Sequence, residues 1–497
     1  MTAGHLAGRM LRPTLSELWV FLAIALPVLG ALLATLPTVD LAYQLRAGAG
    51  IIAGEGIPSE DTWTFTAAGL PWLDQQWGAQ VVLGAVHGLA GWTGLAILRA
   101  LMVALMTAFV LAAIRRTAPA MRPRTAALLT VAAFIVMSPA LALRPQLFGL
   151  VLFAATLFVL AGRADRDRWL WTLPVIAMAW ANVHGSFILA PVLVGLACLE
   201  DLVARRTVAR RMVVATALTA ALTLVNPFGF GVWEYAFGLA TNREVTARIS
   251  EWQAPTLGSP FGALFWVSVV LVVLAAVALI RRRSEIPLVA LITLAGFAAL
   301  GAIAERGIAW WAVIAAITVA GLTAQGRSAA DTTGAIDGVP AREHGRLINA
   351  VLAGAIIIVG IVLVPAWRPI DQGLDAPTGL LGQAPSGITG VLRDVATPSD
   401  RIWNPQVWGS WFEFAVPVAT YGFDARIEVI PGDAWETNQR VDQAEAGWSE
   451  ELDSADVTIV VIAGPPTSPL PAALSTDSAW RLAYADSDGS IWVRSDR

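Results

Sequence analysis

Long apolar segments, repeated along most of the chain, constrain this sequence more than any other feature. A bilayer's hydrocarbon core is about 30 Å thick and takes about 20 apolar residues per helix. Eleven segments of the 497 residues qualify, at roughly 18–36, 93–114, 125–139, 146–162, 169–183, 186–204, 208–226, 261–280, 286–303, 307–324 and 347–365. Charged residues make up 14% of the chain, against about a quarter in ordinary soluble domains, which argues against a soluble multidomain enzyme. The first apolar stretch has no small-residue cleavage pattern behind it and reads as a retained helix. One more stretch, 76–90, is apolar enough to tempt a twelfth span.

Charge decides that case. The formal net charge of −4 divides into 26 basic and 18 acidic residues over 1–369, and 7 basic and 19 acidic over 370–497. If 76–90 lies on the outer face, the clusters Arg9/Arg12, Arg115/Arg116/Arg122/Arg124, Arg163/Arg166/Arg168, Arg205/Arg206/Arg210/Arg211, Arg281–Arg283 and Arg327/Arg342/Arg346 all fall on one side. The positive-inside rule makes that side cytoplasmic. The expectation is a mainly α, polytopic membrane protein with about eleven transmembrane helices and a cytoplasmic N-terminus. Residues 1–369 form the membrane domain, with external loops 37–92 (carrying amphipathic helices) and 227–260. Residues 370–497 form a small extracytoplasmic α/β domain, where Val457–Ile462, Trp480–Tyr484 and Ser490–Val493 read as strands and Gly387–Val395 as a helix. The link 326–346 reads as a flexible loop on the cytoplasmic side.

Composition removes several chemistries. The sequence has no Lys, so neither a Schiff base nor a P-loop lysine is available. Cys198 is the single cysteine and sits in an apolar run, which excludes disulfides and cysteine metal sites. His5, His87, His184 and His344 are scattered, against a His-rich zinc centre. A transporter is disfavoured, since no mid-helix acidic residue marks an ion path and no inverted repeat stands out.

The residues able to carry chemistry gather on the expected outer face. Asp40, in Pro37-Thr-Val-Asp40-Leu-Ala-Tyr-Gln-Leu-Arg46, follows the first span; it is either a general base at the membrane–water boundary or the N-cap of a helix over 41–53. Asp61 reads as a turn or capping residue, or a substrate contact. Glu251, in Arg248-Ile-Ser-Glu251-Trp-Gln-Ala-Pro255, is an acidic contact to substrate or metal on a long loop, or a plain surface glutamate. Arg306 and Arg144 stand at outer helix ends, against the charge bias. A guanidinium there suits a lipid phosphate through bidentate bonds, or else snorkels; snorkelling is the expected fate of Arg99, inside the second span. His184, beside Trp180 at an outer helix end, is either a substrate contact or a structural interfacial residue, and with Arg46 it completes the candidate substrate-binding set.

Together these segments resemble the GT-C membrane glycosyltransferases. Asp40-Leu-Ala-Tyr-Gln-Leu-Arg46 is similar to the Asp-Pro-Tyr-x-x-Tyr-Arg motif of the oligosaccharyltransferase catalytic subunit. Ile249-Ser-Glu251-Trp-Gln253-Ala-Pro255 is similar to its SVSE-type loop, and Trp403-Asn-Pro-Gln-Val-Trp408-Gly409-Ser-Trp411 to its WWDYG region. Phe423-Asp424-Ala-Arg426 occurs where those proteins carry an Asp-Gly element. The helix count also suits the protein O-mannosyltransferase branch, and the layout looks like that of bacterial GT-C-like proteins with a short extracytoplasmic domain.

The resemblance implies an integral enzyme of the bacterial plasma membrane that moves a sugar from a polyprenyl-phosphate or pyrophosphate donor to an envelope glycan, lipid or protein. Asp40 would be the catalytic base, Glu251 a loop contact and Arg306 the phosphate clamp; the partners are the lipid-linked donor, membrane lipids and the acceptor, with no nucleic acid. Two departures stand out. The loop Pro139–Pro145 lacks the acidic pair that binds a divalent metal in oligosaccharyltransferases, so no metal is assigned. The Asp of WWDYG has no counterpart, so no Asn-x-Ser/Thr acceptor is assigned. Two other readings use the same scaffold: an O-antigen-ligase or polymerase type leaning on Arg and His, and a non-catalytic envelope-assembly or lipid-binding protein.

Overall fold

A computed structural model describes residues 13–281, 286–328, 343–465 and 467–497. Arg9, Arg12, Arg282, Arg283, Arg342 and most of the 326–346 link lie outside them, as do His5 and the side chains of Arg327 and His344. All eleven expected spans contain helix. Seven are long and apolar enough to cross a membrane: Leu15–Leu33, Trp77–Thr117, Pro123–Leu141, Gly185–Val203, Pro260–Arg281, Glu305–Ala324 and Gly345–Leu363. The other four hold shorter helices, Pro145–Ala161, Leu173–Ala181, Ala209–Leu222 and Leu288–Ile303. Segments 76–90 and 93–114, expected to be separate, run as one 41-residue helix broken at Gly91, whose φ of 58° and ψ of −155° suit only glycine.

The chain divides into two compact units. The first comprises Met1–Leu33, Ile97–Ala236 and Ile249–Val364. It is a helical assembly in which several buried polar side chains are paired between helices, as an apolar surround favours. Trp311 Nε1 donates to Ser268 Oγ at 2.8 Å. Asp201, fully buried, accepts from Arg163 Nε and Arg206 Nη1, each at 2.9 Å. Arg99 does not snorkel. It is 2% exposed and donates to the carbonyl of Ala31 at 2.5 Å, in the last turns of Leu15–Leu33. Because that carbonyl and neighbouring helices enclose it, the guanidinium has no need to reach the interface.

The second unit comprises Ala34–Ala96, Phe237–Arg248 and Pro365–Arg497. Its five-stranded mixed sheet runs in the order Thr420–Tyr421, Arg401–Trp403, Ile459–Ala463, Gly489–Arg494, Trp480–Ala485. The first three strands are parallel and the last two antiparallel to their neighbours. The three expected strands and the expected helix are present, the helix as Ser386–Val395. The two shortest parallel strands escape a sequence reading, because runs of two or three residues leave no period to read.

Residues 34–96 are integral to this unit. The helix Thr38–Ala53 packs against Gln406–Ala415, Leu36 pairs in parallel with Leu381, and Thr38 Oγ1 donates to Gly382 O at 3.0 Å. Tyr43, Trp72, Trp403, Phe423 and Trp492 share one apolar core. Gly409 lies so close to the Phe423 carbonyl that a Cβ would come within 1.7 Å of it. Asn404 holds the same stretch, its Nδ2 donating to Phe423 O at 2.8 Å and its Oδ1 accepting from Gly422 N at 3.0 Å. Trp408 and Trp411 are buried. The aromatic segment Trp403–Trp411 therefore serves the packing of this unit.

Candidate functional site

Within the first unit, three candidates separated in sequence form one charged cluster. Arg144 is set in extended conformation just ahead of Pro145, the first residue of a helix, where proline's fixed φ and missing N–H are tolerated. Glu251 lies in the helical turn Ser250–Trp252, and Arg306 in the turn Glu305–Gly307. These two turns are tied by Glu305 N donating to Gln253 O at 3.0 Å. Arg144 Nη2 donates to Glu251 Oε1 at 2.6 Å and to Gln146 Oε1 at 2.9 Å. Arg306 Nε donates to the other Glu251 oxygen at 3.1 Å, and its guanidinium stands 5.0 Å from the Trp252 ring centroid.

One carboxylate thus faces two guanidiniums, leaving the cluster a net positive charge. Burial disfavours ionisation of Glu251, but Arg144 and Arg306 outweigh it and hold the carboxyl below its usual range. The Trp252 indole N–H is buried without an acceptor, adding a donor to the group. The side chains of Arg306 and Glu251 are about a third exposed, at 31% and 32%, whereas that of Arg144 is 13% exposed. A net cation with N–H donors at a partly open site is what binds a phosphate or pyrophosphate oxyanion.

His184 belongs to the same electrostatic neighbourhood. Its Nδ1 accepts from Ser186 N at 3.1 Å and lies 2.7 Å from Ser186 Oγ, which in turn accepts from Trp180 Nε1 at 3.0 Å. These contacts commit Nδ1 as an acceptor and leave Nε2 to carry the proton. Burial, then repulsion from Arg306 and Arg144, lowers its pKa to about 3, so the imidazole is neutral at ordinary pH.

The second unit holds the remaining candidates. Asp40 is the third residue of Thr38–Ala53 and is half-buried. It is not the cap of a helix over 41–53: that helix starts two residues before Asp40, and the N-cap position is Pro37. A carboxylate in a first helical turn faces the positive end of the macrodipole. Asp61 is fully buried and accepts from Thr64 N at 3.0 Å, Thr64 Oγ1 at 2.6 Å and Arg426 Nη2 at 2.5 Å. Arg426 also binds Asp424 through Nε at 2.6 Å. Trp63 lies between two cations, with Arg426 4.4 Å and Arg46 4.6 Å from its centroid.

Sequence reasoning does not single out three buried polar groups. Trp252 is legible only as part of a motif, and Asp74 only as part of a loop. Glu413 is fully buried in Gln406–Ala415; the available signal is a lone carboxylate inside an aromatic run, Trp411-Phe412-Glu413-Phe414.

The donor chemistry does not fit a divalent cation at Glu251, because both its oxygens are occupied by guanidiniums. Among the described residues no group of three His, Cys, Asp or Glu side chains is arranged to hold a metal.

No protein-family model matches the chain, and no curated protein matches it in sequence. Its fold has solved counterparts. The Archaeoglobus fulgidus oligosaccharyltransferase tethered to an acceptor peptide containing the NVT sequon is 14% identical, with a TM-score of 0.57, over 96% of this chain and 74% of that one. The apo form of that enzyme gives 13% identity and a TM-score of 0.56 over the same shares. The archaeal oligosaccharyltransferase AglB from the same organism, in complex with an inhibitory peptide and a dolichol-phosphate, gives 13% and 0.57, again over 96% and 74%. The chain is therefore similar over nearly its whole length to the fold of membrane oligosaccharyltransferases, as its motifs imply.

Proposed function

We propose that this protein is a membrane glycosyltransferase that takes a sugar from a polyprenyl-phosphate or pyrophosphate donor on the outer face of a bacterial plasma membrane. The observation that carries the reading is the Arg144–Glu251–Arg306 cluster, in which one carboxylate orients two guanidiniums and leaves a net positive charge. The similar fold of an oligosaccharyltransferase solved with a dolichol-phosphate supports it.

Transfer at the sugar's anomeric carbon breaks the bond to the phosphate oxygen, which departs with the electron pair. Arg306, Arg144 and the Trp252 N–H are suited to stabilise that developing charge, the largest electrostatic demand of the step. Glu251 holds the two guanidiniums in place. By the resemblance of its motif to that of the oligosaccharyltransferase catalytic subunit, Asp40 is assigned as the base that takes the acceptor's proton, with inversion at the anomeric carbon and no covalent enzyme intermediate. Both oxygens of Asp61 are committed within the protein, so it has no part in this scheme.

The neutral His184 beside the arginines favours one second reading, a ligase- or polymerase-type transferase that relies on Arg and His. One mutant set separates the two. Transfer of radiolabelled sugar from a polyprenyl donor in proteoliposomes is expected to be lost in Asp40→Asn and in Arg306→Ala, with folding intact. Full activity in Asp40→Asn removes Asp40 as base; loss confined to Arg144→Ala and His184→Ala selects the second reading. A wild type inactive with every donor tried leaves the scaffold without the chemistry.

A further inference from the structure

Arg144 precedes the helix Pro145–Ala161 and Arg163 follows it. A second arginine-rich region of the first unit therefore stands a helix length, about 25 Å, from the Arg144–Glu251–Arg306 cluster. Residues 115–124, 163–168 and 200–211 hold eleven arginines and four carboxylates. Contacts bring the three stretches together: Arg116 Nη1 donates to Phe158 O at 2.9 Å, Arg163 pairs with Glu200 at 2.8 Å and with Asp201 at 2.9 Å, and Arg211 pairs with Asp167. Arg206 binds Glu200 and Asp201 as well, at 3.2 and 2.9 Å. Three carboxylates are thus neutralised by three arginines. Eight arginines remain against Asp165 alone, and seven of the eight are exposed.

The excess has a focus beside Phe158. The Arg116 guanidinium lies 3.5 Å from that ring's centroid, and Gly162 makes room for it, since a Cβ there would stand 3.0 Å from Nη1. The charge acting on Arg116 is another cation, Arg166, and neither makes an ion pair with any described residue. Neighbouring guanidiniums repel; a phosphate oxyanion between them removes the repulsion and accepts from both forks. The surroundings select a lipid over a free phosphate. Two candidate spans, Trp77–Thr117 and Gly185–Val203, end here. Trp169, its ring 6.4 Å from Phe158, is 38% exposed, and Trp171 and Val203 are exposed too. Tryptophan at a span end suits the headgroup level of a bilayer, where one molecule supplies both a phosphate and an apolar chain. We propose that this end of the first unit binds an anionic phospholipid, its headgroup phosphate seated between Arg116 and Arg166 and its apolar chains against Phe158 and Trp169.

The test is native mass spectrometry of the full chain in dodecyl maltoside, titrated with chain-matched phosphatidylglycerol or phosphatidylcholine, and with glycerol phosphate as the headgroup without its chains. Phosphatidylglycerol is expected to bind about tenfold more tightly or better, because the spare arginines oppose the choline ammonium. Arg116→Gln combined with Arg166→Gln should lower that preference by about tenfold or more, the worth of two arginines at an anionic headgroup. Arg205→Gln combined with Arg210→Gln, two exposed positions of the same region, should lower it by less than about threefold, as diffuse charge would. If Arg116→Gln does not fold, Arg166→Gln, at an exposed position, decides alone with a loss of about fivefold. Equal binding of the two lipids, equal loss in the two double variants, no loss in Arg166→Gln, or displacement of the lipid by an equal concentration of glycerol phosphate overturns the proposal. No sugar transfer is read, so the outcome is independent of whether the chain is a transferase.

Discussion

Arg426 donates to Asp61 at 2.5 Å across 365 residues of sequence, and both side chains are almost wholly buried, 1% and 0% exposed. The same guanidinium holds Asp424 and lies 4.4 and 4.5 Å from the centroids of Trp63 and Trp72. Burying a cation costs several kcal/mol unless its surroundings compensate; here two carboxylates and two aromatic faces do so. This group ties Ala34–Ala96 to Pro365–Arg497 inside one folding unit.

Arg426→Met is accordingly expected to destabilise the protein by about 3–5 kcal/mol, because Asp61 and Asp424 stay buried without their cation. Thermal unfolding followed by tryptophan fluorescence measures it. Combining Asp61→Asn and Asp424→Asn with Arg426→Met should recover part of the loss, a non-additivity that independent sites do not show. An unchanged melting temperature in the single variant contradicts this account.

Asp74 supplies a pH signature. It is 3% exposed, accepts from Gln80 Nε2 at 2.7 Å, and burial raises its pKa from 3.8 to about 7. Between those values the folded chain binds a proton that the unfolded chain has released. Stability therefore falls as pH rises from about 4 to about 7, by at most ~1.4 kcal/mol per pH unit. Asp74→Asn should abolish that slope and raise the melting temperature at pH 8. The same slope in the variant would show that another group carries it.

Arg306 should act on the rate of transfer. Arg306→Ala is expected to lower kcat by about 100-fold, the usual effect of removing one donor to a developing oxyanion. Arg306→Lys should rescue little, because an ammonium lacks the fork that can bind Glu251 and a phosphate together. Glu251 titrates below its usual range, so the clamp it forms is complete above that range and is lost only as pH falls through it. Activity between pH 5 and pH 8 should show no limb from this carboxyl. Recovery of full kcat in Arg306→Lys would reduce the residue to a simple charge.

Gly409→Ala tests a purely steric requirement. Its Cβ would stand 1.7 Å from the Phe423 carbonyl oxygen, an approach only backbone movement can relieve. A loss of about 1–3 kcal/mol is expected, as for overpacking of a tight core, and should appear as a lowered melting temperature. Wild-type stability in this variant would mean that the strand end and helix separate freely.

Local signals make much of this fold readable. Apolar runs place helix in all eleven expected spans, and period-two alternation finds the strands of the C-terminal sheet that are five or six residues long. Glu251, Arg144 and Arg306 can be singled out because each stands beside an apolar segment or in a motif-bearing loop. Their meeting cannot be read, since Arg144 and Arg306 lie 107 and 55 residues from Glu251.

The buried charges of the second unit are less legible still. Asp61 reads as a turn residue, and Asp40 as an equal candidate for a cap. Hydropathy and period depend on a residue and its near neighbours. They are enough to say which stretches are helix, which longer stretches are strand, and that the apolar body carries excess Arg and the tail excess acid. Which carboxylate meets which guanidinium depends on burial and on contacts between distant segments, and no local pattern encodes those. It took the folded chain to make Asp61 an internal anchor for Arg426 and Glu251 a clamp for two arginines.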